Sequence, residues 1–248
     1  MKQFLAVQHT YSEFLGLIEK QLENRGIGFA YCRPFTGQAV PGSALQYDAL
    51  WLLGGAFPVT DRENCPWFDD ELRLVAAFRR AHRPVVGLGL GGLLAAQAAG
   101  GTPRAEPAHR AYWTQARATP AGRSDPVAAA VDRKHVLVMV NGGVELPSGA
   151  QPLAVDESGD WIVMRDAESY GLLMRPDIKP GTIEDMIMEE GRPVPGNVGE
   201  LLEEARMRWE ESQRVTDLVV AGLVTALDLM RERRKPPVFA LNPVRREE

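Results

Sequence analysis

The stretch Pro84-Val85-Val86-Gly87-Leu88-Gly89-Leu90-Gly91-Gly92 decides the fold. An apolar run ends in closely spaced glycines and continues into the Ala/Leu-rich residues 93–99, a pattern that predicts a strand, a tight turn and a helix. Such a turn, the nucleophile elbow, holds a Ser or Cys above backbone N–H groups at the end of a strand. Gly89 occupies the centre of this turn, and it has no side chain that could attack a substrate.

The residues before the elbow predict a parallel sheet. β-prone runs at residues 4–7 and 28–32 enclose a helical pattern at residues 13–24, and this order predicts a right-handed crossover between parallel strands. The nearly continuous apolar run 47–53 predicts a central strand buried on both faces, and residues 68–82 predict a helix. We therefore predict an α/β fold, a three-layer sandwich with a mainly parallel, flavodoxin-like central sheet.

The residues after the elbow predict a small β-rich addition and then helices. Residues 102–126 are polar and proline-rich and carry no clear element, whereas residues 198–231 predict one long helix with a broad apolar face. The further elements are short strands at residues 135–140, 152–155, 161–164 and 170–174 and a helix at residues 182–190. The predicted organisation is a domain of residues 1–192, a helical segment of residues 193–231 packed on it, and a flexible tail of residues 232–248.

Composition narrows the class of protein. The 248 residues are 45% hydrophobic and 25% charged, which suits a soluble globular domain. A net charge of −5 offers no basic patch for nucleic acid, and the sequence has neither a run of eighteen apolar residues nor a signal segment, so we expect a cytoplasmic protein with no membrane partner. Cys32 and Cys65 with four histidines predict no disulfide framework, no metal site and no cofactor.

Three motifs resemble the class I glutamine amidotransferases, in particular the stand-alone proteins similar to the glutaminase domain of GMP synthase. The resemblance extends from the first strand to about Met188. The motifs are Gly54-Gly55 after a strand, Gly87-Leu88-Gly89-Leu90-Gly91 at the elbow, and Tyr170-Gly171-Leu172-Leu173-Met174-Arg175-Pro176-Asp177.

The resemblance also shows where this chain departs from the family. The elbow of the family has the pattern G-x-C-x-G-x-Q and the late motif the pattern G-x-Q-x-H-P-E. These patterns place Gly89 at the cysteine, Leu93 at the glutamine, Arg175 at the histidine and Asp177 at the glutamate. Ala56 stands where many members have the proline of a Gly-Gly-Pro oxyanion loop.

These departures all affect one reaction. Glutamine hydrolysis in the family needs a thiolate, a base and donors for the oxyanion. Arg175 stays protonated and cannot shuttle a proton as histidine does. The resemblance therefore implies a pseudoenzyme with a degenerate triad at Gly89, Arg175 and Asp177. It would act as a partner, scaffold or regulatory subunit of a synthase or another pathway enzyme; self-association is left open.

The remnant pocket has two interpretations. Backbone N–H groups and the helix N-terminus at the elbow favour anions, and Arg175 would add a positive fork suited to a carboxylate. The first interpretation is a site for a small carboxylate or other anion formed by Gly54, Gly55, Gly89, Leu90 and Arg175. The second is a pocket that is empty of ligand or filled by the chain's own side chains.

Other hypotheses stay open at this stage. Asp177 would pair with Arg175, since residues i and i+2 of an extended segment share a face, or both would bind substrate in a different reaction. Cys65 would serve as a non-standard nucleophile of a glutaminase. His9, after the first strand, would be another candidate at the rim of the pocket, or it would lie at the surface or cap a helix. The spacing of Gly87, Gly89 and Gly92 also fits a dinucleotide motif, which its place at the third strand-to-helix turn disfavours.

Overall fold

Residues 2–104, 109–189 and 195–235 are described by the structure, a computed structural model. Residue 1 and residues 105–108, 190–194 and 236–248 lie outside the described residues, and the predicted tail lies outside them from residue 236 onward. Before that point the chain touches the start of the third strand. The Arg233 N–H donates to Asp48 Oδ1 at 2.8 Å, and Lys235 Nζ lies 2.6 Å from Asp48 Oδ2.

The described residues form strands and helices in α/β order. The strands are β1 (Lys2–Val7), β2 (Ile27–Cys32), β3 (Ala49–Leu52), β4 (Val85–Leu88), β5 (Thr102–Pro103), β6 (His109–Gln115), β7 (Arg117–Ala118), β8 (His135–Asn141), β9 (Val144–Glu145), β10 (Ala154–Val155), β11 (Trp161–Asp166) and β12 (Ser169–Leu172). The helices are α1 (Leu17–Glu23), α2 (Phe68–Arg80), α3 (Leu90–Ala98), α4 (Pro126–Val131), α5 (Pro180–Met188), α6 (Val198–Met207) and α7 (Trp209–Ala226).

An eight-stranded sheet forms the centre, with the strand order β2-β1-β3-β4-β12-β11-β10-β7. The first five strands are parallel, and the remaining three are antiparallel to their neighbours. Helix α7 packs with α1 and α4, while α2 packs with α3 against β3 and β4. Two small antiparallel pairs, β6 with β8 and β5 with β9, form the β-rich addition. The predicted α/β sandwich with a mainly parallel sheet is therefore confirmed.

Several predicted elements need correction. Residues 198–231 form two helices, because the backbone at Arg208 turns out of the helical conformation (φ −93°, ψ 9°). The segment 102–126 contains β6, a seven-residue strand that pairs along its whole length with β8. Sequence pattern missed β6 because polar residues line it; they find partners in the folded chain, such as Arg110 with Asp160 at 2.7 Å.

The first helix is shorter than predicted. It begins at Leu17 rather than at residue 13, because Gly16 adopts a positive φ of 56° that breaks the helical pattern before it. Residues 13–16, which the sequence predicted to be helical, instead run toward the carboxyl edge of the sheet. This change places Glu13 in the interior, with none of its surface exposed.

Helix α3 lies very close to the sheet at Gly91. A Cβ atom there would lie 2.1 Å from the Leu52 carbonyl oxygen. We therefore expect Gly91→Ala to lower the free energy of unfolding by about 1–3 kcal/mol, the usual cost of overpacking. Chemical denaturation measures this. As the control, Gly199→Ala in α6, where nothing lies within 4 Å, should be neutral or stabilising by up to ~1 kcal/mol; equal effects of the two substitutions would contradict the prediction.

Candidate functional site

The candidate site lies at the carboxyl edge of the parallel strands. Strands β1, β3, β4 and β12 end side by side there, and the residues that follow them are His9, Gly54, Gly89 and Arg175. In open α/β sheets, ligands bind outside this edge. The fold thus brings together residues that the sequence separates by up to 166 positions.

The backbone of the elbow is retained. Gly89 lies between β4 and α3 with φ 53° and ψ −114°, a strained conformation that a side chain adopts only at a cost. Its N–H donates to the Leu172 carbonyl at 2.7 Å, and the Gly91 N–H donates to the Leu53 carbonyl at 3.0 Å. These bonds tie the turn to both neighbouring strands. The chain therefore keeps the shape of a nucleophile elbow without the nucleophile.

The Arg175 side chain fills the space above the elbow. A Cβ atom added to Gly89 would lie 3.1 Å from Arg175 Cδ and 3.0 Å from the Met139 carbonyl oxygen. A Cβ atom added to Gly54 would lie 2.3 Å from Arg175 Nη1. The guanidinium thus lies between the two glycines. A larger residue at either glycine would require Arg175 to move.

Two carboxylates accept hydrogen bonds from the guanidinium of Arg175. Its Nε and Nη2 donate to the two carboxylate oxygens of Asp177 at 3.0 and 2.7 Å, and its Nη1 donates to Glu13 Oε1 at 2.6 Å. At most 1% of each of these side chains is exposed. Burial alone would lower the pKa of Arg175, but the charges of Asp177 and Glu13 outweigh burial and raise it. The predicted ion pair of Arg175 with Asp177 is confirmed, and sequence analysis missed the third member, Glu13.

A second buried pair lies beside this ion triad. His9 Nδ1 lies 2.9 Å from the Gly54 carbonyl oxygen, and Nε2 lies 2.9 Å from Glu71 Oε2 of α2. Both ring nitrogens face acceptor groups, an arrangement that favours the doubly protonated ring. Only 4% of His9 is exposed. The interpretation of His9 as a surface or capping residue is therefore wrong, because the loop after β1 turns into the interior toward Glu71.

The charges of the site disfavour a bound anion. Three acidic side chains, those of Glu13, Glu71 and Asp177, are buried around Arg175 and His9. The fork of Arg175 is occupied by Asp177, and its third nitrogen donates to Glu13. Anion binding stays a prediction, as does a different reaction that uses these side chains, but the geometry favours a pocket filled by the chain itself.

The remaining candidate residues are also buried. A Cβ atom on Gly55 would lie 2.3 Å from Leu90 Cδ2, so Leu90 packs over that glycine, and Leu93 lies in the core. Cys65 is buried, and this burial, with the charges of Asp61 and Glu71, raises the pKa of its thiol to about 12. Among the residues that the structure describes, no group of three or more His, Cys, Asp and Glu side chains is arranged to hold a metal ion.

The pair of His9 and Glu71 gives the stability a pH dependence. Burial lowers the pKa of His9, but the Glu71 carboxylate outweighs burial and holds it above the ordinary value of 6.5. Because the pKa of His9 is higher in the folded protein than in the unfolded chain, protonated His9 stabilises the fold fully below pH 6.5. This stabilisation is lost as the pH rises through the pKa of His9 in the folded protein. We expect the stability gap between wild type and His9→Gln to be largest at pH 5.5–6.5 and to shrink by pH 9, measured by urea denaturation. A gap independent of pH would contradict a charged His9.

The sequence is similar to a curated protein over part of its length. No protein-family profile matches the chain. Over 97 residues the chain is 37% identical to the glutamine amidotransferase-like protein YfeJ of Salmonella typhimurium. The match covers 38% of this chain and 41% of YfeJ, so the chain spans about two fifths of the length of that curated relative.

No helix in the described part of the chain is both long enough and apolar enough to cross a membrane.

Solved structures share the fold along nearly the whole chain. A glutamine amidotransferase of Methylobacillus flagellatus superimposes with a TM-score of 0.80 at 19% identity, covering 98% of this chain and 100% of that one. A glutamine amidotransferase of Thermotoga maritima gives a TM-score of 0.75 at 19% identity, covering 90% and 98%. These structures show that the chain has the fold of the glutamine amidotransferases.

Proposed function

We propose that this member of the glutamine amidotransferase-like family does not hydrolyse glutamine and acts as a cytoplasmic regulatory or scaffold subunit of another enzyme. One observation carries the proposal. The guanidinium of Arg175 lies between Gly54 and Gly89, where a Cβ atom on either glycine would contact it. The space above the elbow is therefore occupied by a side chain that two carboxylates hold in place.

The chemistry of the occupying group supports the proposal. Covalent hydrolysis of an amide requires a nucleophile with an adjacent base, and a guanidinium supplies neither at neutral pH. Both ring nitrogens of His9 are engaged, by Glu71 and by the Gly54 carbonyl, so neither is free to take a proton from a substrate. The guanidinium of Arg175 is matched to Asp177 and Glu13 rather than to a substrate.

Exposed apolar side chains near the site that Arg175 fills support a role in binding another protein. Tyr11 is 67% exposed and forms an edge-to-face pair with Phe35, and Met188 is 84% exposed. The carboxylate of Glu189, next to Met188, accepts a hydrogen bond from the Tyr11 N–H at 2.8 Å, which brings these side chains to one surface. Aromatic residues and methionine are enriched where proteins bind each other.

The test has an enzymatic arm and a binding arm. We expect the purified protein to release no glutamate from glutamine above the level of buffer, and release that Cys65→Ala abolishes would overturn the proposal. In the binding arm, a partner captured from the native cells should be lost with Tyr11→Ser and Met188→Ser combined. Capture should persist with Met207→Ser, a matched substitution at a 77% exposed residue elsewhere.

The thiol of Cys65 should be unreactive in the folded protein. Its pKa of about 12 leaves almost no thiolate at pH 8, and only 1% of the residue is exposed. We expect labelling of native protein by an aromatic disulfide reagent to be at least 100-fold slower than labelling in 6 M guanidinium chloride. Cys32→Ala removes the other thiol for this measurement, and rapid labelling of the native variant would restore Cys65 as a candidate nucleophile.

A further inference from the structure

A second cavity lies at the opposite end of the sheet from Gly89. It has a volume of about 660 Å³ and is bounded by the residues after α2, the turn before β12 and the residues after α7. Pockets that hold small molecules have volumes of about 300–1,000 Å³. The cavity therefore has the size of a small-molecule site, and nothing in the proposed function uses it.

Arginines dominate the lining of this cavity. Five of them face three carboxylates of the lining, those of Glu168, Asp228 and Glu232. Arg165 also lies 3.6 Å from Asp125, outside the lining, which leaves one excess positive charge. The arginines are Arg83, Arg165, Arg231, Arg233 and Arg234. The whole chain carries a net charge of −5, so this local excess is opposite in sign to that of the molecule.

Two of these arginines, Arg83 and Arg233, donate hydrogen bonds to neutral carbonyl groups. Arg83 is only 4% exposed, and its guanidinium donates to the carbonyls of Tyr47 and Arg234. Arg233 donates to the carbonyls of Arg231 and Leu227 at 3.2 and 3.4 Å. Among the described residues, no ion pair within 4.0 Å involves either guanidinium, whereas Arg165 has one, at 3.6 Å from Asp125.

The positive charges of the buried Arg83 and the half-buried Arg233 are therefore incompletely compensated. Burial lowers the pKa of both Arg83 and Arg233, more strongly than the nearby carboxylates raise it. An arginine has five N–H donors, and the carbonyl contacts use only two on each of these side chains. Donors remain for a bound group that brings negative charge.

We propose that this cavity binds a phosphate group, either free or carried by a small molecule. A phosphate monoester carries a charge of about −1.5 to −2 at pH 7, which is opposite in sign to the excess positive charge of the lining. Guanidinium groups suit phosphate because they donate two parallel hydrogen bonds to it. The proposal is independent of the proposed function, because the cavity shares no residue with the elbow or the ion triad.

The test is titration calorimetry of the full chain in a phosphate-free buffer at low salt. The probes are inorganic phosphate, pyrophosphate and adenosine monophosphate; the first two test for a free anion and the third for a phosphate carried by a larger molecule. We expect saturable heat with at least one probe, and affinity at least tenfold weaker for the variant Arg231→Gln with Arg233→Gln. Absence of heat for all three probes with the wild type would overturn the proposal.

A matched variant separates a built site from general charge. Arg214→Gln with Arg206→Gln removes two positive charges from exposed arginines, whose nearest carboxylates are Glu210 at 3.0 Å and Glu184 at 2.6 Å. This variant should bind each probe as the wild type does. If it weakens binding as much as the cavity variant, the interaction is non-specific attraction and the proposal is wrong. Melting curves of both variants establish that they are folded before titration.

Discussion

Replacing Arg175 by alanine should destabilise the protein by about 3–5 kcal/mol, the usual cost of removing one partner from a buried ion pair. The substitution leaves Glu13 and Asp177 buried with no opposite charge between them, and their side chains are at most 1% exposed. Since the stability of a typical domain is only ~5–15 kcal/mol, the change should be plain in a urea denaturation curve or a thermal melt. A catalytic or ligand-binding arginine would be dispensable for folding, so this result distinguishes a structural group from a functional one.

Two further variants make that result specific. Arg214→Ala removes an arginine that is 74% exposed and pairs with Glu210, and it should cost at most ~1 kcal/mol, as exposed ion pairs do. The triple variant Arg175→Met with Glu13→Gln and Asp177→Asn removes all three charges, and it should recover much of the lost stability because no buried charge remains unpaired. Stability of Arg175→Ala within about 0.5 kcal/mol of the wild type would show that the triad does not hold the site together.

The central features of the site were predictable from local pattern. The glycine-rich turn after an apolar strand predicts the elbow, because only a few backbone conformations join a buried strand to a helix so tightly. The pair of Arg175 with Asp177 follows from their spacing of two residues in an extended segment. Both predictions depend only on neighbours in sequence, and the structure contains both features.

The partners from distant segments were not predictable in the same way. Glu71 belongs to the first turn of α2 and lies 62 residues from His9, and Glu13 lies 162 residues from Arg175. In a single sequence each of these carboxylates has the pattern of a solvent-exposed helical residue. Only the parallel order of β1, β3, β4 and β12 brings them to one place, and that order is a property of the whole sheet.

The same dependence on distant segments explains why the prediction of one long helix over residues 198–231 was wrong. The break at Arg208 between α6 and α7 has no glycine or proline to announce it. It occurs where the two helices pack against different parts of the molecule, α6 on β6 and α7 on α1 and α4. Tertiary packing therefore overrides a continuous helical pattern, as it commonly does when local propensities are similar.

Introducing a thiol and a base at the elbow should confer glutamine hydrolysis only if the surrounding charges are changed with them. Gly89→Cys alone places a Cβ atom 3.1 Å from Arg175 Cδ, so Arg175→His is needed to clear the space and supply a base. Arg175→His in turn leaves Glu13 without its guanidinium partner, and Glu13→Gln removes that buried charge. Asp177 is kept, because a carboxylate two residues from the introduced histidine can orient its ring.

We expect the triple variant Gly89→Cys, Arg175→His, Glu13→Gln to release glutamate at least ~100-fold faster than the variant that keeps Gly89, because a positioned base and a nucleophile each contribute at least that factor. A coupled glutamate assay measures the rate, and alkylation of the introduced thiol should abolish it. If the triple variant is folded and its new thiol is alkylated but it releases no glutamate, a thiol at position 89 and a histidine at position 175 are not sufficient for hydrolysis. The buried Leu93, which lies in the first turns of α3 where the family has a glutamine, would then be the next residue to change.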